Sequence, residues 1–95
     1  MATVLIIDDD REICDTIHSV VEHIGHQALE AYTLADGVSC AQREPVDLVL
    51  LDVRMPDGDG LQLMPRLQRL PSRPEVIIMT GFGDPDGAEL AIRNG

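Results

Sequence analysis

Asp8 and Asp9 end one short apolar run, Thr3-Val4-Leu5-Ile6-Ile7, and Asp52 ends another, over 46–51. Thr80 ends a third, over 76–79. Carboxylates at strand ends share one pocket when the strands lie side by side, because open α/β sheets bind ligands outside the carboxyl ends of their strands. Three such charges within a few ångströms repel one another unless a cation sits among them or some take up protons. A hard divalent ion suits this all-oxygen set. Magnesium needs only one or two carboxylates and keeps positions for water and phosphate oxygens. An aspartate beside it can attack phosphorus and form an aspartyl-phosphate while the metal neutralises the phosphoryl oxygens.

The elements that must position these groups follow from periodicity. Residues 3–7, and 46–51 apart from Asp47, are short apolar runs, as in strands buried on both faces. Between them, Ile13, Ile17, Val20, Val21 and Ile24 share a helical face, with Gly25 at the C-cap position. Residues 27–31 read as a short strand, and 34–42 as a helix weakened by Gly37. Turn residues dominate 55–60, predicting a loop, and a helix follows over 61–70. Pro65 makes its first turn irregular or delays its start. The strand over 76–79 precedes a last helix, with Asp84 and Pro85 as its start and Ile92 near its end. The order βαβαβαβα predicts a doubly wound parallel sheet with helices on both faces and right-handed crossovers.

Ninety-five residues make room for one domain. Seventeen acidic residues against seven basic ones, all arginine, give a net charge of −10. Such a surface does not hold a nucleic-acid backbone, and one Tyr, one Phe and no Trp provide no stacking platform. No apolar run is long enough to span a membrane and no signal peptide is visible, so the expected location is cytoplasmic. Cys14 and Cys40 lack metal-ligand spacing and read as buried thiols, and His18, His23 and His26 as solvated helix residues.

With these residues placed, Ile6-Ile7-Asp8-Asp9-Asp10, Leu50-Leu51-Asp52-Val53-Arg54-Met55-Pro56 with Gly60, and Ile78-Met79-Thr80-Gly81 resemble the response-regulator receiver domain of two-component signalling. The 43 residues from Asp9 to Asp52 and the 28 from Asp52 to Thr80 agree with it. The resemblance implies a flavodoxin-like sheet of strand order 2-1-3-4, with the family's fifth strand and helix missing from this chain. It also implies a regulatory phosphoacceptor rather than an enzyme. Asp52 resembles the acceptor and Asp9 the direct Mg2+ ligand, with Asp8 often acting through water. The backbone carbonyl of Arg54 resembles the third ligand and Thr80 the switch hydroxyl. The implied donor is a phosphohistidine on a sensor histidine kinase. The stretch from Thr80 to Asp84 looks most like receivers of the nitrogen-regulator, sigma-54 activator type, whose ATPase and DNA-binding output domains would lie beyond this chain.

Residues 1–95 thus read as one receiver domain, incomplete at its C-terminus because Gly95 precedes the family's clamp lysine. The fourth strand would then be an open edge, and a homodimer by edge pairing or exchange is expected. Other roles compete for single residues: Asp10 as cap of the first helix, and Asp57 and Asp59 as turn residues. Asp8-Asp9-Asp10 also resembles the opening motif of haloacid-dehalogenase-type phosphohydrolases, with Asp8 as nucleophile and Asp10 as general acid/base. That alternative leaves the Asp52 motif unexplained.

Overall fold

The computed structural model describes residues 1–79. β1 (Thr3–Ile7), α1 (Arg11–His23), β2 (Gln27–Ala31), α2 (Leu34–Arg43) and β3 (Leu48–Asp52) follow one another in the alternation read from the sequence. After them come two short strands, β4 (Arg54–Met55) and β5 (Gly58–Asp59), a 3-10 turn (Gly60–Leu63), α3 (Met64–Gln68) and β6 (Glu75–Met79). β2, β1, β3 and β6 lie in that order in one parallel sheet, the expected order 2-1-3-4 with β6 as the fourth long strand.

The central strands are apolar throughout because both their faces are covered. Leu5 and Ile7 of β1 pack with Leu34, Ala41, Val49, Leu51 and Leu67 on one side. Val4 and Ile6 pack with Cys14, Val21 and Ala28 on the other. Each fully buried aliphatic side chain of this kind contributes about 1.5–3 kcal/mol relative to exposure. The core rigidly fixes where β1 and β3 end.

Helix boundaries have local causes. The Asp10 carboxylate accepts from the amides of Glu12 and Ile13, at 3.0 and 3.3 Å, and so starts α1 as expected. Gly25, at φ +93°, follows its C-cap. Gly37, read as a weakness of α2, has a packing purpose: a Cβ there would lie 2.5 Å from Ile7 Cδ1. Its absence lets α2 rest directly on β1.

Several expectations are corrected. The helix predicted over 61–70 is shorter, a 3-10 turn followed by five α-helical residues with Pro65 in the first turn, where a missing N–H is tolerated. The predicted loop over 55–60 contains an antiparallel ladder, Arg54 opposite Asp59 and Met55 opposite Gly58. β3 runs over Leu48–Asp52 rather than 46–51, since the carboxylate of Asp47 turns to accept from the Thr3 amide at 2.8 Å. Of the three histidines, His23 alone is exposed. His26 Nδ1 accepts from the Ala2 amide at 2.8 Å, and half-buried His18 places Nε2 3.2 Å from Glu22. Cys14 is buried as expected, whereas Cys40 is half-buried. The expected last helix and Thr80 lie outside the described residues. Among those residues β6 is an outer strand, with Ile77 42% exposed, and no helix is long and apolar enough to cross a membrane.

Candidate functional site

β1 and β3 are adjacent and in register, Ile7 opposite Leu51, so the residues that follow, Asp8 and Asp52, emerge side by side. The Asp8 amide still donates to Ala31 of β2, at 3.0 Å, which holds its backbone in the sheet. Its side chain is buried, with Oδ1 accepting from the Asp10 amide at 2.9 Å. Beneath it the Cys14 thiol donates to the Asp8 carbonyl at 3.3 Å. Asp9 is exposed and Asp52 half-buried. Carboxylate oxygens of Asp8, Asp9 and Asp52 lie within 4.8 Å of one another.

This crowding has an electrostatic signature. The Asp52 carboxyl is pushed up to about 6, first by burial and then by the charge on Asp8, against the opposing help of the Arg54 amide. Asp8 is also raised, chiefly by burial, although the Asp10 amide and a hydrogen bond with Asp52 pull the other way. Burial and neighbouring like charge thus make the pocket hold protons more readily than isolated aspartates do, so a cation bound there would compete with protons. Three hard oxygen donors of like charge, two of them holding protons more tightly than ordinary aspartates, fit a divalent ion such as Mg2+.

The loop after Asp52 is shaped around it. Arg54 is exposed and opens β4 two residues beyond Asp52. The Gly60 amide donates to the Val53 carbonyl at 2.7 Å. A Cβ at Gly60 would overlap the carbonyl oxygen of Asp52 and lie 3.0 Å from its carbon, so no other residue fits without a backbone shift. Asp59 caps the 3-10 turn by accepting from the Leu61 amide at 2.9 Å.

Sequence reasoning missed what Asp57 does. Its carboxylate leaves its own turn and accepts from the amides of Leu34 and Ala35, at 2.9 and 3.0 Å, at the start of α2. These two bonds hold its carboxyl below the usual range. No local pattern carries such a signal, because the partners lie 22 and 23 residues away.

A parallel α/β sheet with carboxylates gathered beyond two adjacent strand ends defines the class, a flavodoxin-like domain with an acidic pocket. Within that class the chain belongs to the response regulator receiver domain family, whose profile matches residues 4–95. It is 33% identical over 94 residues to the transcriptional regulatory protein GlrR of Escherichia coli (strain K12), covering 99% of this chain and 21% of that protein. It is 32% identical over 83 residues to sporulation initiation phosphotransferase F of Bacillus subtilis (strain 168), covering 87% of this chain and 67% of the relative. The chain thus spans about a fifth of the longer regulators it resembles. Among solved structures, a receiver domain protein from Clostridium thermocellum matches with a TM-score of 0.83 and 31% identity, covering 100% of this chain and 77% of that one. The beryllofluoride-activated NtrC4 receiver domain dimer matches at 0.85 and 32%, covering 100% and 78%.

Family membership does not favour the phosphohydrolase alternative. The geometry agrees, because the Asp10 carboxylate is engaged in capping α1 rather than acting as an acid/base for Asp8.

Proposed function

We propose that this chain is a phosphorylation-controlled signalling module whose acceptor is Asp52. The observation that supports it is the convergence of Asp8, Asp9 and Asp52 in a chain of the receiver family. Asp9 and Asp52 would hold Mg2+ directly, Asp8 through water, and the Arg54 backbone carbonyl would complete the protein ligands. When bound, the ion supplies charge neutralisation on the phosphoryl oxygens.

In the reaction, an Asp52 carboxylate oxygen forms a bond to phosphorus as the phosphorus–nitrogen bond to the histidine of a sensor kinase breaks. The imidazole leaves and takes a proton. The raised affinity of Asp52 for protons makes it more basic than an ordinary aspartate, hence a better nucleophile in its ionised form. Thr80 would then hydrogen-bond the new phosphoryl group and change the surface read by an output module. For a cytoplasmic regulator of the sigma-54 activator type, that module would be an ATPase with a DNA-binding domain. Self-association into a homodimer is part of the proposal, since the similar beryllofluoride-activated NtrC4 receiver domain is a dimer.

The test is labelling with acetyl phosphate and Mg2+, with the modified residue located by mass spectrometry. The expected label is on Asp52, and Asp52→Asn abolishes it. A label on Asp8 that survives Asp52→Asn would sink the reading.

A further inference from the structure

Asp57 sits at the tip of the β4–β5 hairpin, exposed to solvent, yet its carboxylate is spent on another element. α2 has its own N-cap, Thr33, whose hydroxyl oxygen accepts from Asp36 at 3.1 Å. That leaves the first two amides of the helix, Leu34 and Ala35, without an internal partner. The two oxygens of Asp57 take one each. The neighbouring Gly58 holds a positive φ of +147°, and a Cβ on it would lie 3.4 Å from Leu34 Cδ1, so the tip lies close against the start of α2.

The other end of the hairpin is joined to the acidic pocket. Its strands begin two residues after Asp52, and the Gly60 that follows them packs on the Asp52 carbonyl. Beside Asp57 the groove between α2 and the 3-10 turn is open, with a volume of about 510 Å³, lined by Leu34, Val38, Leu63 and Arg66 among others. Dense packing does not pin the tip from that side. The two hydrogen bonds do.

We infer that Asp57 is a positioning residue of the acceptor pocket: by anchoring the β4–β5 hairpin to the first amides of α2, it holds the Arg54 segment in place beside Asp52. This inference rests on the proposed Mg2+ site. Because coupling between two sites is reciprocal, Mg2+ in the pocket must also strengthen the hold of Asp57 on α2.

The experiment uses the full chain and its Asp57→Ala and Asp57→Asn variants, titrated with Mg2+ alone and followed by amide chemical shifts. Exchange of the Leu34 and Ala35 amides is measured with and without the ion. The expected result is Mg2+ affinity weakened on the order of 10-fold in Asp57→Ala, as for residues that orient metal ligands. Mg2+ slows exchange at Leu34 and Ala35 in the unmodified chain and has no such effect in Asp57→Ala. Asp57→Asn, which keeps one amide-accepting oxygen, falls between the two. If Asp57→Ala lowers the melting temperature while Mg2+ affinity and Mg2+-dependent protection stay unchanged, Asp57 is a helix cap only and the inference fails alone. If the unmodified chain binds no Mg2+, the proposed site and this inference fall together. Should Asp57→Ala not fold, Asp57→Asn decides by the same comparison.

Discussion

Asp52 and Asp57 are the same residue type, five positions apart on either side of one short strand, and their environments are opposite. Asp52 is half-buried beside Asp8 and Asp9, and its carboxyl is pushed up to about 6. Asp57 is exposed, accepts from two helix amides, and is held below the ordinary carboxylate range. At Asp57 the fold satisfies a charge; at Asp52 it concentrates charge that it does not satisfy. The difference separates structure from function. A carboxylate that lowers the energy of the fold needs no ligand, whereas a cluster that raises it is maintained for something that binds there.

The largest expected effect lies on the pocket side. Gly60→Ala must move backbone, because the added Cβ would meet the main chain of Asp52, and a loss of about 2–4 kcal/mol in denaturant unfolding is expected together with slower labelling. An unchanged midpoint would mean that this close approach constrains nothing.

Next in size is the pH dependence of the pocket. A carboxyl raised in the folded state from 3.8 to about 6 stabilises the fold when protonated, and that contribution is lost as pH rises through the folded value. In metal-free buffer, stability should therefore fall between about pH 4 and neutrality, by about 1–3 kcal/mol after allowing for solvent screening of a half-buried group. Asp52→Asn should flatten the slope, and Mg2+ should restore stability near neutral pH. Thermal melts across that range check both, and a stability that rises with pH in metal-free buffer would contradict the account of the pocket.

Smaller effects belong to the α2 side. A Cβ at Gly37 also makes a contact that is too close, but with the side chain of Ile7, whose Cδ1 would lie 2.5 Å away, rather than with backbone. Repacking strain is partly offset by the gain of about 1 kcal/mol in helix propensity, so Gly37→Ala should change stability by less than about 1 kcal/mol. A loss as large as that of Gly60→Ala would erase the distinction between rigid and yielding neighbours.

The smallest effect is expected from Asp57 in acid. Its depressed folded value stabilises above the unfolded value of 3.8 and is lost as pH falls through the folded one. The stability gap between the unmodified chain and Asp57→Asn should therefore close as melts are taken to lower pH. A gap that persists in strong acid would show that the Asp57 charge has no part in it.

Much of this was legible because it is local. The range of β1 and the end of β2 follow from apolar runs and their flanking residues, and the Asp10 cap spans only two and three residues. The 3-10 start and brevity of α3 follow from Pro65 only in part; the β4–β5 ladder was hidden because two-residue strands leave no period to read. The acidic site was legible as chemistry: three aspartates at strand ends, in motifs of the receiver family.

What the sequence determined by itself, then, is the set of long strands, the identity of the acidic residues and the reason they belong at strand ends. Neighbouring residues decide those features through periodicity and short-range hydrogen bonds. Only the tertiary structure decided that Asp8, Asp9 and Asp52 converge within 4.8 Å, that Gly60 lies against the Asp52 backbone, and that Asp57 belongs to α2. Each depends on which strands become neighbours and how closely they pack, and electrostatic energies change with distance and burial far more than with residue type.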